Sequence, residues 1–144
     1  LTVSRSMFSQ RNHSRYVVTH LKKMLGLFKK RIPLNIDKSK FEPILSKLIE
    51  LLTDSSNLGQ AEWVERIKSA LLSDDKADFL KKLVSVDMWG GSGAVWEVGG
   101  FKYDTDNKKF VTEIAKLTDL MKASGIRSRA AQSSGRVLKR IYQI

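Results

Sequence analysis

The chain has 144 residues, with 26 Lys and Arg against 15 Asp and Glu, a formal net charge of +11, and no cysteine. A chain of this length is most simply one domain with a real hydrophobic core. The lack of cysteine excludes disulfide bonds and thiolate metal sites and is typical of the reducing cytosol, so a cytoplasmic location is predicted. The apolar runs are only a few residues long, which argues against a transmembrane segment.

The positive charge is concentrated at the two ends of the chain. Residues 1–36 contain eight Lys and Arg, residues 125–144 contain five, and neither range contains an acidic side chain. Residues 37–124 are nearly neutral, with 13 basic and 15 acidic side chains. Basic ends on a neutral centre either bind phosphates or are simply solvated, and both readings stay open.

The N-terminal part, residues 1–36, is predicted to be a basic segment that is partly disordered or carries one docked helix. Polar composition without periodicity indicates disorder over residues 1–15. From Tyr16 to Phe28, apolar side chains recur at helical spacing. A helix docked on the domain is preferred here over one on a membrane surface. A further hypothesis is that the natural protein starts at Met24, so that residues 1–23 do not belong to it.

Residues 37–126 are predicted to form a helical domain that opens with three amphipathic helices. Apolar side chains follow a helical period in SKFEPILSKLIELL, QAEWVERIKSALL and KADFLKKLVSV. Ser39 is predicted to cap the first helix, with Glu42 completing a capping box. The inward face of the third helix is expected to comprise Phe79, Leu80, Leu83 and Val84. Short connections predict antiparallel neighbours.

A longer helix is predicted over DTDNKKFVTEIAKLTDLMKASGI, with N-caps from Asp104 to Asp106 and a terminating glycine at Gly125. Residues 127–144 are predicted to be a basic tail or a short helix that starts at Arg136. That helix is expected to bury Val137, Leu138 and Ile141. The expected fold class is mainly α, a compact bundle of four to five helices.

The segment MWGGSGAVWEVGG, residues 88–100, interrupts this helical pattern. It holds five of the nine glycines and two of the three tryptophans. One interpretation is a short helix or irregular turn in which Ser92 is the cap, and it is slightly preferred. The other is a short hairpin joined by Gly99-Gly100. The fold prediction therefore includes a Gly-rich turn or short hairpin before the last long helix.

The sequence predicts no catalytic residue, no metal site and no cofactor. Gly90-Gly91-Ser92-Gly93-Ala94 approaches the GxSxG elbow, but Ala94 replaces the last glycine and no histidine follows His20. Walker and dinucleotide-binding glycine patterns are absent. His13 and His20 have no acidic neighbour in sequence and are interpreted as incidental.

The candidate binding site lies in the glycine segment. Trp89 and Trp96 are of a residue type enriched at interfaces and also common in cores, and at least one is expected in the core. Glu97 lies among bulky apolar residues, and a buried carboxylate has a shifted proton affinity that often marks a functional site. The candidate residues are Trp89, Gly90, Gly91, Ser92, Gly93, Trp96 and Glu97.

Three helices, the run from Trp89 to Ala94, Glu97 and a final long helix together resemble a family of small, uncharacterised bacterial helical proteins. The resemblance covers about residues 40–126. Small proteins of this kind suggest, by analogy, a partner-binding role such as that of immunity or antitoxin proteins, and the family has no established activity to carry over. The leading hypothesis is therefore a non-enzymatic protein-interaction module. The alternatives are nucleic-acid binding through the Lys- and Arg-rich termini, and a small-ligand or enzyme site at Glu97 and the loop amides.

Overall fold

Helices make up the regular structure of residues 31–144, the part of the chain that the computed structural model describes. Predictions for residues 1–30, including His13, His20 and Met24, lie outside the described residues. Ile32–Ile144 form one compact unit, whose residues form no strand. Its elements are α1 (Lys38–Asp54), α2 (Leu58–Leu72), α3 (Lys76–Leu83), the single turn α4 (Val86–Trp89), a 3₁₀ helix (Val95–Glu97), α5 (Asp104–Ala123) and α6 (Arg129–Tyr142).

Five helices of eight or more residues surround one hydrophobic core, which confirms the predicted mainly helical bundle. Helix α1 packs against α2 and α5, α2 packs against α3, and α5 packs against α6. The ring centroids of Phe41 and Phe79 lie 5.4 Å apart in an edge-to-face contact that joins α1 to α3. No helix within residues 31–144 combines the length and the apolar composition needed to cross a bilayer.

Helix α1 begins two residues before its predicted start, because its N-cap is Asp37. The Asp37 carboxylate accepts hydrogen bonds from the backbone N–H of Ser39 at 3.0 Å and from the Ser39 hydroxyl at 2.6 Å. The predicted capping box from Ser39 to Glu42 is therefore wrong. The hydroxyl bond, more than the backbone bonds, favours the ionised carboxylate and lowers the pKa of Asp37 below its usual value of 3.8.

This cap predicts a pH-dependent contribution to stability. Since the pKa of Asp37 is lower in the folded than in the unfolded chain, its charge stabilises the fold above about pH 4. That contribution is lost as the pH falls through the lowered folded value. We expect Asp37→Asn to unfold at lower urea concentration than the wild type at neutral pH, and the two midpoints to converge in acid. A difference between the two urea midpoints that stays constant down to about pH 2 would show that the Asp37 charge does not cause it.

Two further predictions at helix ends are wrong. Val84 was expected to face inward, but it follows the last residue of α3 and is 38% exposed. The N-cap of α5 is Tyr103, whose side chain makes no capping bond, while Asp104 and Asp106 lie in the first turn. Those two carboxylates still favour the helix, because the first turn carries the positive end of the helix dipole.

The turn after α5 is formed by Gly125, as predicted. Its φ of +77° is in the left-handed region, and the N–H of Ile126 donates to the carbonyl of Met121 at 2.9 Å, as in a Schellman motif. A Cβ at Gly125 would lie 2.7 Å from the carbonyl oxygens of Ile32 and Pro33. Glycine is thus required both for the turn and for this close approach, and the turn leads directly into α6.

Helix α6 begins at Arg129, seven residues before the predicted start at Arg136. The Ser128 side chain caps it by accepting from the N–H of Ala131 at 3.1 Å. Its buried face consists mainly of small side chains, and a Cβ at Gly135 would lie 3.0 Å from the Cβ of Thr118 on α5. Only a glycine allows the helices to pack this closely.

The predicted burial of α6 was correct for one of its three large apolar residues. Leu138 is buried, whereas Val137 is 40% and Ile141 is 64% exposed. The face that packs on α5 instead comprises Ala131, Ser134, Gly135 and Leu138. Small residues dominate this face because the close approach to Thr118 leaves no room for longer side chains.

Contacts between α5 and α6 occur near both ends of the pair. The Asn107 side-chain amide donates to the Tyr142 hydroxyl at 2.9 Å, at the start of α5 and the end of α6. The Gln132 amide donates to the carbonyl of Thr118 at 2.9 Å, nearer the connecting turn. The two helices therefore run back along each other, unlike the steeply crossed pair of a helix–turn–helix.

Candidate functional site

Trp89 is a core residue that fastens α4 to α3. Its side chain is 4% exposed, and its indole N–H donates to the carbonyl of Leu83 at 2.7 Å. That carbonyl belongs to the last residue of α3, where no helical N–H follows to bond it. In the described structure Trp89 therefore supports the bundle and presents no surface to a partner.

Trp96 is partly buried and links two parts of the glycine segment by a hydrogen bond. Its indole N–H donates to the carbonyl of Gly90 at 2.9 Å. The segment is also tied to α2, where the Gln60 amide donates to the carbonyl of Gly93 at 3.1 Å. Gly90 is the C-cap of α4 and donates its N–H to the carbonyl of Val86 at 2.7 Å. A Cβ at Gly90 would lie 2.5 Å from that oxygen, so this helix end has no room for a side chain.

The remaining candidates of the segment, Gly91, Ser92, Gly93 and Glu97, are exposed. The expectation of a buried Glu97 carboxylate is wrong, because the 3₁₀ helix turns Val95 into the core and Glu97 outward. Within residues 31–144, the Glu97 side chain has no hydrogen-bond or ion-pair partner.

The cavity beside the segment is small. Its volume is about 110 Å³, and Gly93 and Val95 line it together with Trp63 and Asp87, while neither Ser92 nor Glu97 does. Small-molecule sites usually occupy about 300–1,000 Å³. The structure therefore does not bring Glu97 and the loop into one pocket, which removes the main support for a small-ligand site there.

A larger groove of about 920 Å³ lies where α5 turns into α6. We call it the basic groove, because five of its lining side chains are cationic and only one is acidic. The cations come from the end of α5, the connecting turn and one flank of α6. They are Lys122, Arg127, Arg129, Arg136 and Lys139, and the acid is Asp119.

The single acid of the basic groove is already paired. Asp119 accepts from Lys139 at 2.5 Å. Among residues 31–144, the other four cations form no ion pair. Arg129 also lies in the first turn of α6, which contains no acidic residue, so its charge faces the positive end of the helix dipole. The groove thus carries an excess of positive charge that the described residues do not neutralise.

Scans of protein-family models, curated proteins and solved structures found no match to this chain. What the basic groove binds must therefore follow from its own side chains. Within residues 31–144, no three His, Cys, Asp or Glu side chains come together as metal ligands would. Guanidinium and ammonium groups around an open groove are suited to anions, and above all to phosphates.

Sequence reasoning found part of the basic groove. Residues 125–144 contain five Lys and Arg and no acid, which the sequence shows directly. The contributions of Lys122 and Asp119 were not visible in it, because both lie in the balanced charge pattern of α5. The signal that could have found them is Gly125, since a helix that ends in a tight glycine turn sends the following chain back along its last turns.

Proposed function

We propose that the protein is a non-enzymatic nucleic-acid-binding protein whose basic groove holds the phosphate backbone. The observation that carries this proposal is the excess of cations in the groove, where five Lys and Arg meet one acid that is itself paired. A basic patch of this kind is the usual electrostatic footprint of phosphate binding.

The dependence of affinity on salt concentration that this proposal predicts follows from counterion release. Each phosphate that a Lys or Arg neutralises lowers the slope of log K against log salt concentration by about 0.9 on a DNA duplex. Lys122, Arg127, Arg129 and Arg136 have no ion pair among the described residues, which corresponds to roughly four phosphate contacts. The groove alone is then expected to contribute a slope of roughly −3 to −4.

The second candidate is a protein-interaction module of the immunity or antitoxin kind. The observation in its favour is the exposure of large apolar side chains, of which Val86 at 78% and Ile141 at 64% are the most exposed within residues 31–144. Exposed apolar side chains mark interfaces when they form a continuous patch. Under either candidate, the Gly-rich segment has a structural role in the connection from α4 to α5, which includes the 3₁₀ helix.

The test uses the full chain and a fluorescent 20-base-pair DNA, with affinity measured by anisotropy over a range of salt concentrations. Arg129→Gln with Arg136→Gln removes two groove charges, and Lys81→Gln with Lys108→Gln is the matched control. Lys81 and Lys108 are exposed and do not line the groove. We expect the salt slope to flatten by about 2 in the groove variant and less in the control.

Two results would contradict the proposal. If both double variants lose affinity equally, the chain binds DNA through its overall charge and the groove is not the binding site. If the wild type shows no salt-dependent binding to DNA or RNA, the nucleic-acid proposal is wrong. Circular dichroism of both variants ensures that the comparison is made between folded proteins.

A further inference from the structure

We infer that the nucleic acid held by the basic groove is double-stranded, and that the groove contacts its backbone without reading its bases. This inference rests on the proposed function and narrows it to one class of partner. Three features of the described residues support it: the lack of aromatic side chains in the groove, the spacing of its cations, and the packing of α6 along α5.

Among residues 31–144, no aromatic side chain lines the basic groove. Proteins that hold single strands combine a basic groove with aromatic side chains on which the bases stack. Within residues 31–144, the aromatic residue with a highly exposed side chain is Tyr103, just before α5 begins. Lys122 is almost the whole length of α5 away, about 28 Å at 1.5 Å per residue. The described part of the chain therefore offers unpaired bases no stacking surface beside these cations.

The cations along α6 are closely spaced on a rigid element. Arg129 and Arg136, which form no ion pair among the described residues, lie seven residues apart on one helix, or about 10 Å. A DNA duplex carries one negative charge per about 1.7 Å of its axis, so this length spans about six phosphates, twice as many as one of its strands supplies. A fixed row of cations thus meets a higher density of charge on a duplex.

Helix α6 meets DNA together with α5, because the cations of the basic groove come from both helices. The major groove, about 12 Å wide, admits one helix of about 10–12 Å diameter. Contacts of α6 with α5 run from Gln132 to Tyr142, and a pair with an axis separation of about 8–10 Å is wider than that groove. A duplex that engages cations of both helices is therefore contacted along its backbone.

The uncharged polar side chains of the basic groove are mostly engaged within the protein. Gln132, a residue type that reads adenine in other proteins, donates its amide to the carbonyl of Thr118. The Ser128 hydroxyl caps α6. Few uncharged polar groups therefore remain to form hydrogen bonds with base edges. With the cations directed to phosphates, binding is expected to be independent of sequence.

The experiment compares four probes at one salt concentration by anisotropy with the full chain. They are two 20-base-pair DNA duplexes of unrelated sequence, a 20-base-pair RNA duplex and an unstructured 20-nucleotide single strand. We expect at least one duplex type to bind tenfold or more tightly than the single strand, and the two DNA sequences to agree within twofold. The RNA duplex shows whether the groove selects the B-form or also accepts the A-form.

The chain also carries basic residues outside the groove, so the experiment must show that the preference for duplex over single strand depends on the groove. In Arg129→Gln with Arg136→Gln, the preference for duplex is expected to fall below threefold, while Lys81→Gln with Lys108→Gln keeps it. Single-strand binding equal to or tighter than duplex binding, or fivefold discrimination between the DNA sequences, would overturn this inference alone. A lack of salt-dependent binding to all four probes would overturn the proposed function as well.

Discussion

Replacing Trp89 by alanine is expected to lower the free energy of unfolding by about 3–5 kcal/mol. The side chain is 4% exposed, and its loss leaves a cavity next to α3. It also leaves the carbonyl of Leu83 without the indole N–H that lies 2.7 Å away. Both effects act in the same direction, so this substitution is expected to be among the most destabilising in the described domain.

Trp96→Ala is the matched control for this prediction. The same residue type is removed from the same segment, but Trp96 is only partly buried. We expect a loss of about 1–2 kcal/mol, the cost of one hydrogen bond and part of an apolar surface. Urea unfolding of the two variants measures the difference directly. Equal losses, or a loss below about 1 kcal/mol for Trp89→Ala, would show that Trp89 does not hold α4 to α3.

Reversing two charges of the basic groove, with Arg129→Glu and Arg136→Glu, is expected to weaken duplex binding about 100-fold at moderate salt. Each reversal replaces an attraction to phosphate by a repulsion, and about 1.4 kcal/mol per site corresponds to tenfold in affinity. Both side chains are exposed and line the groove, so the effect does not require a change of fold. Anisotropy titration of the duplex measures it.

Arg129→Glu alone is expected to raise stability while it lowers affinity. Arg129 lies in the first turn of α6, where an acid interacts favourably with the helix dipole by about 0.5 kcal/mol and a cation unfavourably. Higher stability together with weaker binding would indicate that Arg129 destabilises α6 slightly and is kept for its contribution to affinity. Reduced affinity accompanied by a lower melting temperature would instead point to damage to α6.

Much of the fold could be predicted from the sequence because large apolar residues recur at the helical period. The stripes of α1, α2, α3 and α5 each contain several Leu, Ile, Val or Phe side chains that can only be buried on one face. Gly125 was predictable for a similar reason, since a left-handed residue ends many helices and glycine adopts that conformation most easily.

The face of α6 could not be predicted in the same way. Gly135 has Thr118 against it and Ser134 beside it is buried as well, and nothing in their own sequence neighbourhood shows that another helix comes so close. Val137 and Ile141 were predicted to be core residues, yet they remain exposed, outside the face of the helix that packs on α5. Which face of a helix is buried depends on its partner whenever small residues form the contact.

For the candidate site, too, some properties follow from the sequence and others only from the tertiary structure. The sequence alone determined that the chain is basic, helical and rich in cations near its end, because charge distribution and apolar periodicity are properties of the sequence. Only the tertiary structure decided that Trp89 is core and Glu97 is exposed. It also brought Lys122 of α5 beside Arg129 and Arg136 of α6. The reason is physical: a phosphate-binding surface depends on distances between charges, and those distances arise when the turn at Gly125 folds one helix back along another.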